Sequence, residues 1–151
     1  MNKKTFVLRL SCSYLLIIFG LVSCAGGKPA IYSNAELGII EPKNVGDIQY
    51  GISSYYAEKF HGRRTANGEI YDMYGVSAAH QTLPLNSFVR VTNLENNKVI
   101  ELKINDRGPF IKNRILDCSY GAAVKLGFIG TGTAMVKVEV LKLGDNVYRK
   151  E

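Results

Sequence analysis

Polar and apolar positions alternate along much of the chain. The clearest run lies near the C-terminal end, where Ala134, Val136, Val138 and Val140 fall on one face and Met135, Lys137, Glu139 and Leu141 on the other. A period of two is the signature of a strand with one buried face. Phe88–Asn93 mixes β-branched and polar residues, and Lys98–Ile104 alternates for much of its length. Asn96-Asn97 between them tolerates the positive φ of a tight turn, so the two runs predict a hairpin. Ile52–Tyr56 is also β-prone. Ser119–Gly127 predicts one short helix, with Ser119 as N-cap and Gly127 just past its end. Several short strands and a helix in about 95 residues imply a small β-barrel or sandwich.

The N-terminus follows a different rule. Lys3, Lys4 and Arg9 precede the apolar run Tyr14–Val22, which is shorter than the roughly 20 residues a spanning helix needs. A basic start and a short apolar stretch make a secretory signal. The run ends in Leu21-Val22-Ser23-Cys24, which resembles the lipobox of bacterial lipoproteins. The resemblance implies a signal peptide over 1–23, lipid on Cys24, and a tether over 24–48 ahead of a domain at 49–142 and a tail at 143–151. Residue Ala25, which is not an aspartate, points by the enteric sorting rule to the outer membrane, facing the periplasm. Several acyl chains at roughly 0.8 kcal/mol per buried CH₂ make such an anchor effectively permanent.

Charge and cysteines narrow the possibilities. The formal net charge is +6, and removing Lys3, Lys4 and Arg9 with the leader lowers it to +3. No basic run stands out, so nucleic-acid binding is not indicated. With Cys12 in the leader and Cys24 acylated, Cys118 has no partner for a disulfide and reads as a small core residue. No metal or other cofactor is expected. His61 and His80 lie far apart in sequence, without a ligand motif around them. A monomer is expected.

Two stretches carry more polar residues than a fold requires. One is Phe60-His61-Gly62-Arg63-Arg64-Thr65-Ala66-Asn67-Gly68-Glu69-Ile70-Tyr71-Asp72-Met73, followed by Ala78-Ala79-His80-Gln81-Thr82-Leu83-Pro84-Leu85. The other is Asn105-Asp106-Arg107-Gly108-Pro109-Phe110, followed by Arg114–Asp117. In order and spacing these blocks resemble the rare lipoprotein A family of septal ring lytic transglycosylases, from about Gly51 to Leu141. The resemblance implies a mainly β fold, a six-stranded double-psi β-barrel with one or two short helices. It also implies an activity: cleavage of the peptidoglycan backbone between N-acetylmuramic acid and N-acetylglucosamine on peptide-poor strands, leaving a 1,6-anhydro end.

Such a reaction needs a carboxylic acid to protonate the leaving oxygen as positive charge develops on the sugar. Asp106, at a strand end before a Gly-Pro turn, is the first candidate, and a turn aspartate is its plain alternative. Glu69 is the second carboxyl, able to orient substrate, tune Asp106 or act as the acid. His80 is a third catalytic candidate, through a hydrogen bond to Asp106 or to a sugar, and a buried structural histidine otherwise. Tyr55, Tyr56, Arg63, Thr65, Asn67, Tyr71, Asp72, Asn105 and Arg107 are candidate substrate-binding residues. Asp117, just before the helix, reads as structural.

The sequence departs from the resemblance in places. Many members have a tryptophan where Tyr55 stands, and this chain has none. No wall-binding SPOR module follows Leu141 in the sequence, so septal recruitment is not carried over. Two further activities fit the same blocks. One is a non-catalytic, expansin-like wall binder. The other is a polysaccharide hydrolase of the barrel endoglucanase type, which needs a second carboxylate to activate water.

Overall fold

The computed structural model describes residues 41–56 and 58–149. The signal peptide, Cys24 and the tether up to residue 40 lie outside the described residues. Among the described residues no helix is long and apolar enough to cross a membrane.

Six strands close into a barrel: β1 (Ile48–Tyr55), β2 (Ser77–His80), β3 (Phe88–Asn93), β4 (Val99–Asp106), β5 (Arg114–Cys118) and β6 (Thr133–Lys142). Their order around the barrel is β1-β5-β2-β4-β3-β6. Two neighbouring pairs, β1 with β5 and β2 with β4, run parallel, and the other four pairs are antiparallel. This closed, mainly β architecture is the one expected from the sequence. Among the described residues one α-helix, α1 (Tyr120–Leu126), and a three-residue 3-10 turn at Glu58–Phe60 complete it.

The alternating runs do what their period dictates. Ala134, Val136, Val138 and Val140 of β6 are all buried, as are Val89 and Val91 of β3 and Leu102 and Ile104 of β4. They meet Leu116 and Cys118 of β5 in one core, into which α1 inserts Ala122, Ala123 and Leu126. Asn97 takes φ +59° in the β3–β4 turn. Ser119 caps α1 by accepting from the Ala122 amide, and Gly127 ends it at φ +76°. Burial pushes the Cys118 thiol up to about 12, so it stays a protonated core group.

The two strands not legible as strands, β2 and β5, lie side by side. In β2, Ala78, Ala79 and His80 are all buried, so no polar face marks it. In β5, Ile115 and Leu116 are buried in succession. The register explains why: Ile52 pairs with Arg114 but Ser53 pairs with Leu116, leaving Ile115 as an extra, bulged residue. A second bulge lies in β4, where Ala78 pairs with Ile104 and Ala79 with Asp106, leaving Asn105 extra. Both bulges sit where the site is built.

The first turn of α1 packs tightly on the segment before β2. The Gly121 amide donates to the Met73 carbonyl at 2.8 Å, and Ser119 Oγ donates to the Gly75 carbonyl at 2.7 Å. A Cβ at Gly121 would meet the Tyr74 carbonyl oxygen and come within 2.7 Å of the Gly75 carbonyl oxygen, which are backbone atoms that cannot swing away. Gly121→Ala should therefore cost about 1–3 kcal/mol of unfolding free energy, read as a lower urea midpoint. Val124→Ala, on the exposed side of the same helix, should change it by under about 0.5 kcal/mol. Equal midpoints for Gly121→Ala and the unmodified protein would contradict this close approach.

Candidate functional site

A cavity of about 790 Å³ opens on one side of the barrel. Its walls come from the end of β1 (Tyr55, Tyr56), the 59–65 segment, the end of β4 with the turn after it (Asp106–Ile111), and β5 (Arg114, Asp117), with Ala79 of β2 among the lining residues. β2 lies between β4 and β5, and Ala79 is paired in register with Asp106 on one side and with Asp117 on the other. Two strand spacings then put the two aspartate Cα atoms about 9–10 Å apart. The small side chain of Ala79 leaves room between them.

Asp106 is held by one oxygen. Its Oδ1 accepts from the Ala66 amide at 2.9 Å and from the Arg107 amide at 2.8 Å. Among the described residues its Oδ2 makes no hydrogen bond and is left for the cavity. The neighbouring Arg107 points its guanidinium elsewhere, donating to the carbonyls of His80 and Leu83 and to Asn146 Oδ1. It buttresses the 80–83 turn and lines the cavity with part of its length.

Asp117, read from the sequence as structural, lies in the same cavity. Its Oδ2 accepts from Arg114 Nη2 at 2.8 Å, while its Oδ1 is buried without a partner among the described residues. Burial raises its carboxyl above the usual aspartate range, and the Arg114 charge only partly opposes this. The Tyr56 hydroxyl is likewise buried and has no hydrogen-bond partner among the described residues. Burial, and then the charge of Asp106, make it harder to ionise than an ordinary phenol. The sequence signal for Asp117 was hidden by the Ile115 bulge, which breaks the alternation that would have placed it on a strand.

Glu69 stands outside the cavity lining. Its carboxylate is shared between Lys103 and Asn105 Nδ2, the latter at 3.3 Å. Burial pulls its carboxyl upward, and the hydrogen bonds from Lys103, Asn105 and Asn67 outweigh it and leave it below the usual glutamate range. Through Asn105 it braces the bulge that precedes Asp106. Asn67 is fully buried and tied on every side: Thr65 Oγ1 and the Glu69 amide donate to its Oδ1, and its Nδ2 donates to Asn86 Oδ1. Thr65 lines the cavity, but its hydroxyl is spent on that loop.

The structure brings Tyr55, Tyr56, Arg63, Thr65, Tyr71, Asp106 and Arg107 to the cavity, and leaves Asn67, Glu69, Asp72, His80 and Asn105 outside its lining. Tyr55 packs edge-on against Tyr120, and Tyr71 is buried against Tyr56 with ring centroids 4.9 Å apart. Asp72 is exposed and accepts from the Tyr74 amide. Among the described residues no cluster of three or more His, Cys, Asp or Glu side chains could hold a metal ion.

His80 is 1% exposed and makes no bond to Asp106. Its Nδ1 accepts from the Thr82 and Leu83 amides at 3.2 and 3.0 Å, so its Nε2 carries the proton and donates to Gln49 Oε1 at 2.8 Å. Burial lowers its pKa to about 4. The folded state therefore resists a proton that the unfolded chain takes up near pH 6.5. The stability that results is complete above that pH and falls away as the pH drops toward about 4. His80→Asn, which keeps an acceptor for the two amides, should be less stable at pH 7 and show a flatter decline between pH 6.5 and 4. Urea midpoints across that range measure it. An unchanged slope in the variant would remove His80 as the titrating group.

A family described as lytic transglycolase matches residues 48–138. The endolytic peptidoglycan transglycosylase RlpA of Pseudomonas aeruginosa is 61% identical over 89 residues, covering 59% of this chain and 26% of that protein. The protein of the same name from Campylobacter jejuni is 48% identical over 102 residues, 68% of this chain and 37% of that protein. That of Neisseria meningitidis is 53% identical over 98 residues, 65% of this chain and 41% of that protein. The matched segment thus spans a quarter to two-fifths of these relatives. Among solved structures, the Streptomyces papain inhibitor superposes with a TM-score of 0.53 at 20% identity, over 65% of this chain and 97% of that one. An expansin of Clavibacter michiganensis, solved with cellohexaose, gives 0.52 at 12% identity, over 64% of this chain and 51% of that one. At such identities the likeness is one of fold, the double-psi β-barrel.

Proposed function

We propose that this chain, which belongs to the lytic transglycolase family, cuts the glycan backbone of peptidoglycan between N-acetylmuramic acid and N-acetylglucosamine, with Asp106 as acid and then base. The observation that carries the reading is the split use of the Asp106 carboxyl. One oxygen is anchored by two amides, and the other is left toward an open cavity.

In this reaction the Asp106 carboxylic acid protonates the glycosidic oxygen, which leaves as the 4-hydroxyl of N-acetylglucosamine. The bond from that oxygen to the muramoyl anomeric carbon breaks, and positive charge develops on the ring. The C6 hydroxyl of the same muramoyl unit attacks the anomeric carbon. Its proton returns to the Asp106 carboxylate, and a 1,6-anhydro ring closes without water. The nucleophile is internal, so one carboxyl can serve both steps. Asp117, half-buried on the opposite side of Ala79, adds a second acidic group facing the developing charge. Glu69 acts through Asn105, as a positioning residue for the β4 end.

A second reading rests on that same pair. Two carboxyls on opposite sides of a cleft are also the arrangement with which an inverting hydrolase admits a water molecule. The two chemistries differ in their products: anhydro-muramic ends in one, reducing ends in the other.

The wider setting belongs to the same proposal. Lipid on Cys24 would hold the barrel in the cell envelope, at a membrane next to its polymer, with the outer membrane as the favoured site. Intact protein that incorporates no labelled palmitate, or still incorporates it after Cys24→Ala, would remove the anchor.

Purified protein incubated with peptide-stripped sacculi should release fragments with anhydro-muramic ends, identified by mass spectrometry. Asp106→Asn should lower that release by about a thousandfold or more while the thermal melt stays cooperative. A folded, active Asp106→Asn variant would end its assignment as the acid. Binding to sacculi without soluble product from the unmodified protein would point instead to a wall-binding role.

A further inference from the structure

The cavity is richer in positive charge than its chemistry explains. Arg64 and Arg107 are committed to carbonyls, and Arg114 to Asp117. Lys59 and Arg63 are not committed. Both are exposed, both line the cavity, and among the described residues neither side chain makes a hydrogen bond or ion pair. They flank the same ring: Lys59 Nζ lies 5.1 Å and the Arg63 guanidinium carbon 5.7 Å from the centroid of Phe60. Phe60 is itself 38% exposed and packs on Tyr56 of the cavity wall, with centroids 5.9 Å apart. Glu58, the acidic residue on the same turn, does not line the cavity. The result is two cations held against one aromatic ring, without an ion-pair partner among the described residues, in the same cavity as Asp106.

We propose that Lys59 and Arg63 form a subsite for the free lactyl carboxylate of N-acetylmuramic acid, and that this contact sets which glycosidic bond reaches Asp106. The inference rests on the reading of the chain as a peptidoglycan-cleaving protein. Its logic is chemical. The backbone of this polymer alternates two sugars that share ring size, linkage and acetamido group. They differ at O3, where only the muramoyl unit carries a lactyl ether ending in a carboxyl. That ether lies on the same ring as the anomeric carbon to be cut. A site that presents one acid to an alternating strand must distinguish the two bonds, and a cationic pair in the same cavity recognises the one feature that differs. A guanidinium and an ammonium each form charge-assisted hydrogen bonds with a carboxylate, and the guanidinium can form two. When a stem peptide is attached, the carboxyl is an amide and that charge is gone.

The test compares two substrates made from one preparation: peptide-stripped strands with free lactyl carboxylates, and the same strands with those carboxyls converted to methylamides. The unmodified protein should show kcat/KM about tenfold or more higher on the free carboxylate. The double variant Lys59→Gln with Arg63→Gln should lose most of that advantage, chiefly through a higher KM on the free strand. Both positions are exposed, so its melting temperature should stay close to that of the unmodified protein. Equal rates of the unmodified protein on the two substrates would overturn the proposal, as would a double variant that discriminates as well as before. Equilibrium binding of the two strand types to Asp106→Asn protein reads the same preference without turnover. If the unmodified protein cleaves neither strand, the proposed activity fails. In that case, tighter binding of the free-carboxylate strand that is lost with Lys59 and Arg63 supports the subsite, and equal binding overturns it.

Discussion

A sheet of six strands can close only if every strand finds two neighbours, and β2 has four residues with which to bind both of its own. It is parallel to β4 on one side and antiparallel to β5 on the other. Paired on both edges, it carries small side chains in its middle: Ala78 in the core and Ala79 at the cavity wall. Everything around the candidate site hangs on that strand. Ala79 fixes the separation of Asp106 and Asp117 because both are its partners. His80, the last residue of β2, spends its ring on the turn that follows and on Gln49 of β1. A histidine kept neutral by burial can accept from two amides at one nitrogen and donate at the other, which a charged one cannot.

The bulges at Asn105 and Ile115 solve a problem that regular strands would create. In β4 the alternation that buries Leu102 and Ile104 would carry residue 106 into the same core. An extra residue interrupts it, re-aims the strand end, and lets Asp106 sit partly exposed at the cavity. A bulge leaves unpaired backbone groups and an extra side chain to stabilise. Here the Asn105 carbonyl accepts from the Asn67 amide at 3.0 Å, and the Asn105 side chain donates to Glu69. The polar motif around residues 63–69 therefore acts largely as the support of a bulge, and its conformation is fixed by Asn67 at its centre.

That division explains how far the amino-acid sequence could be read. Period two found β3, β4 and β6, because each has one buried face. Cap chemistry found α1, because Ser119 and Gly127 are used for what their side chains allow. β2 and β5 escaped: one has three buried residues in succession, and the other is broken by a bulge, so neither has a period to detect. With β5 went Asp117, whose neighbour across the sheet cannot be known without the register. The polar motifs supply residues of the cavity wall, yet the residue types alone could not tell Asp106, which keeps an oxygen for the cavity, from Glu69, which gives both of its own to neighbours. Hydrogen-bond allocation is a property of the assembled fold.

The segment after β6 ties these parts together. Residues 143–149, a tail by sequence, run back along the barrel. The Arg149 amide donates to the Asn67 carbonyl at 2.6 Å, and the Asn146 amide to the Leu85 carbonyl at 3.1 Å. Asn146 Oδ1 accepts from the Leu85 amide and from Arg107 Nη2, and Asp145 accepts from Asn86 Nδ2. This segment thus bonds at once to the loop that holds Asp106, to the turn after β2, and to the arginine beside the candidate acid. Gly144 passes so close to the Leu85–Ser87 backbone that a side chain there has no room. Two of these parts hold the Asp106 carboxyl, through the Ala66 and Arg107 amides, and the strap joins both to the turn after β2. The orientation of Asp106 is therefore set by contacts far apart in sequence, none of which needs to touch a substrate.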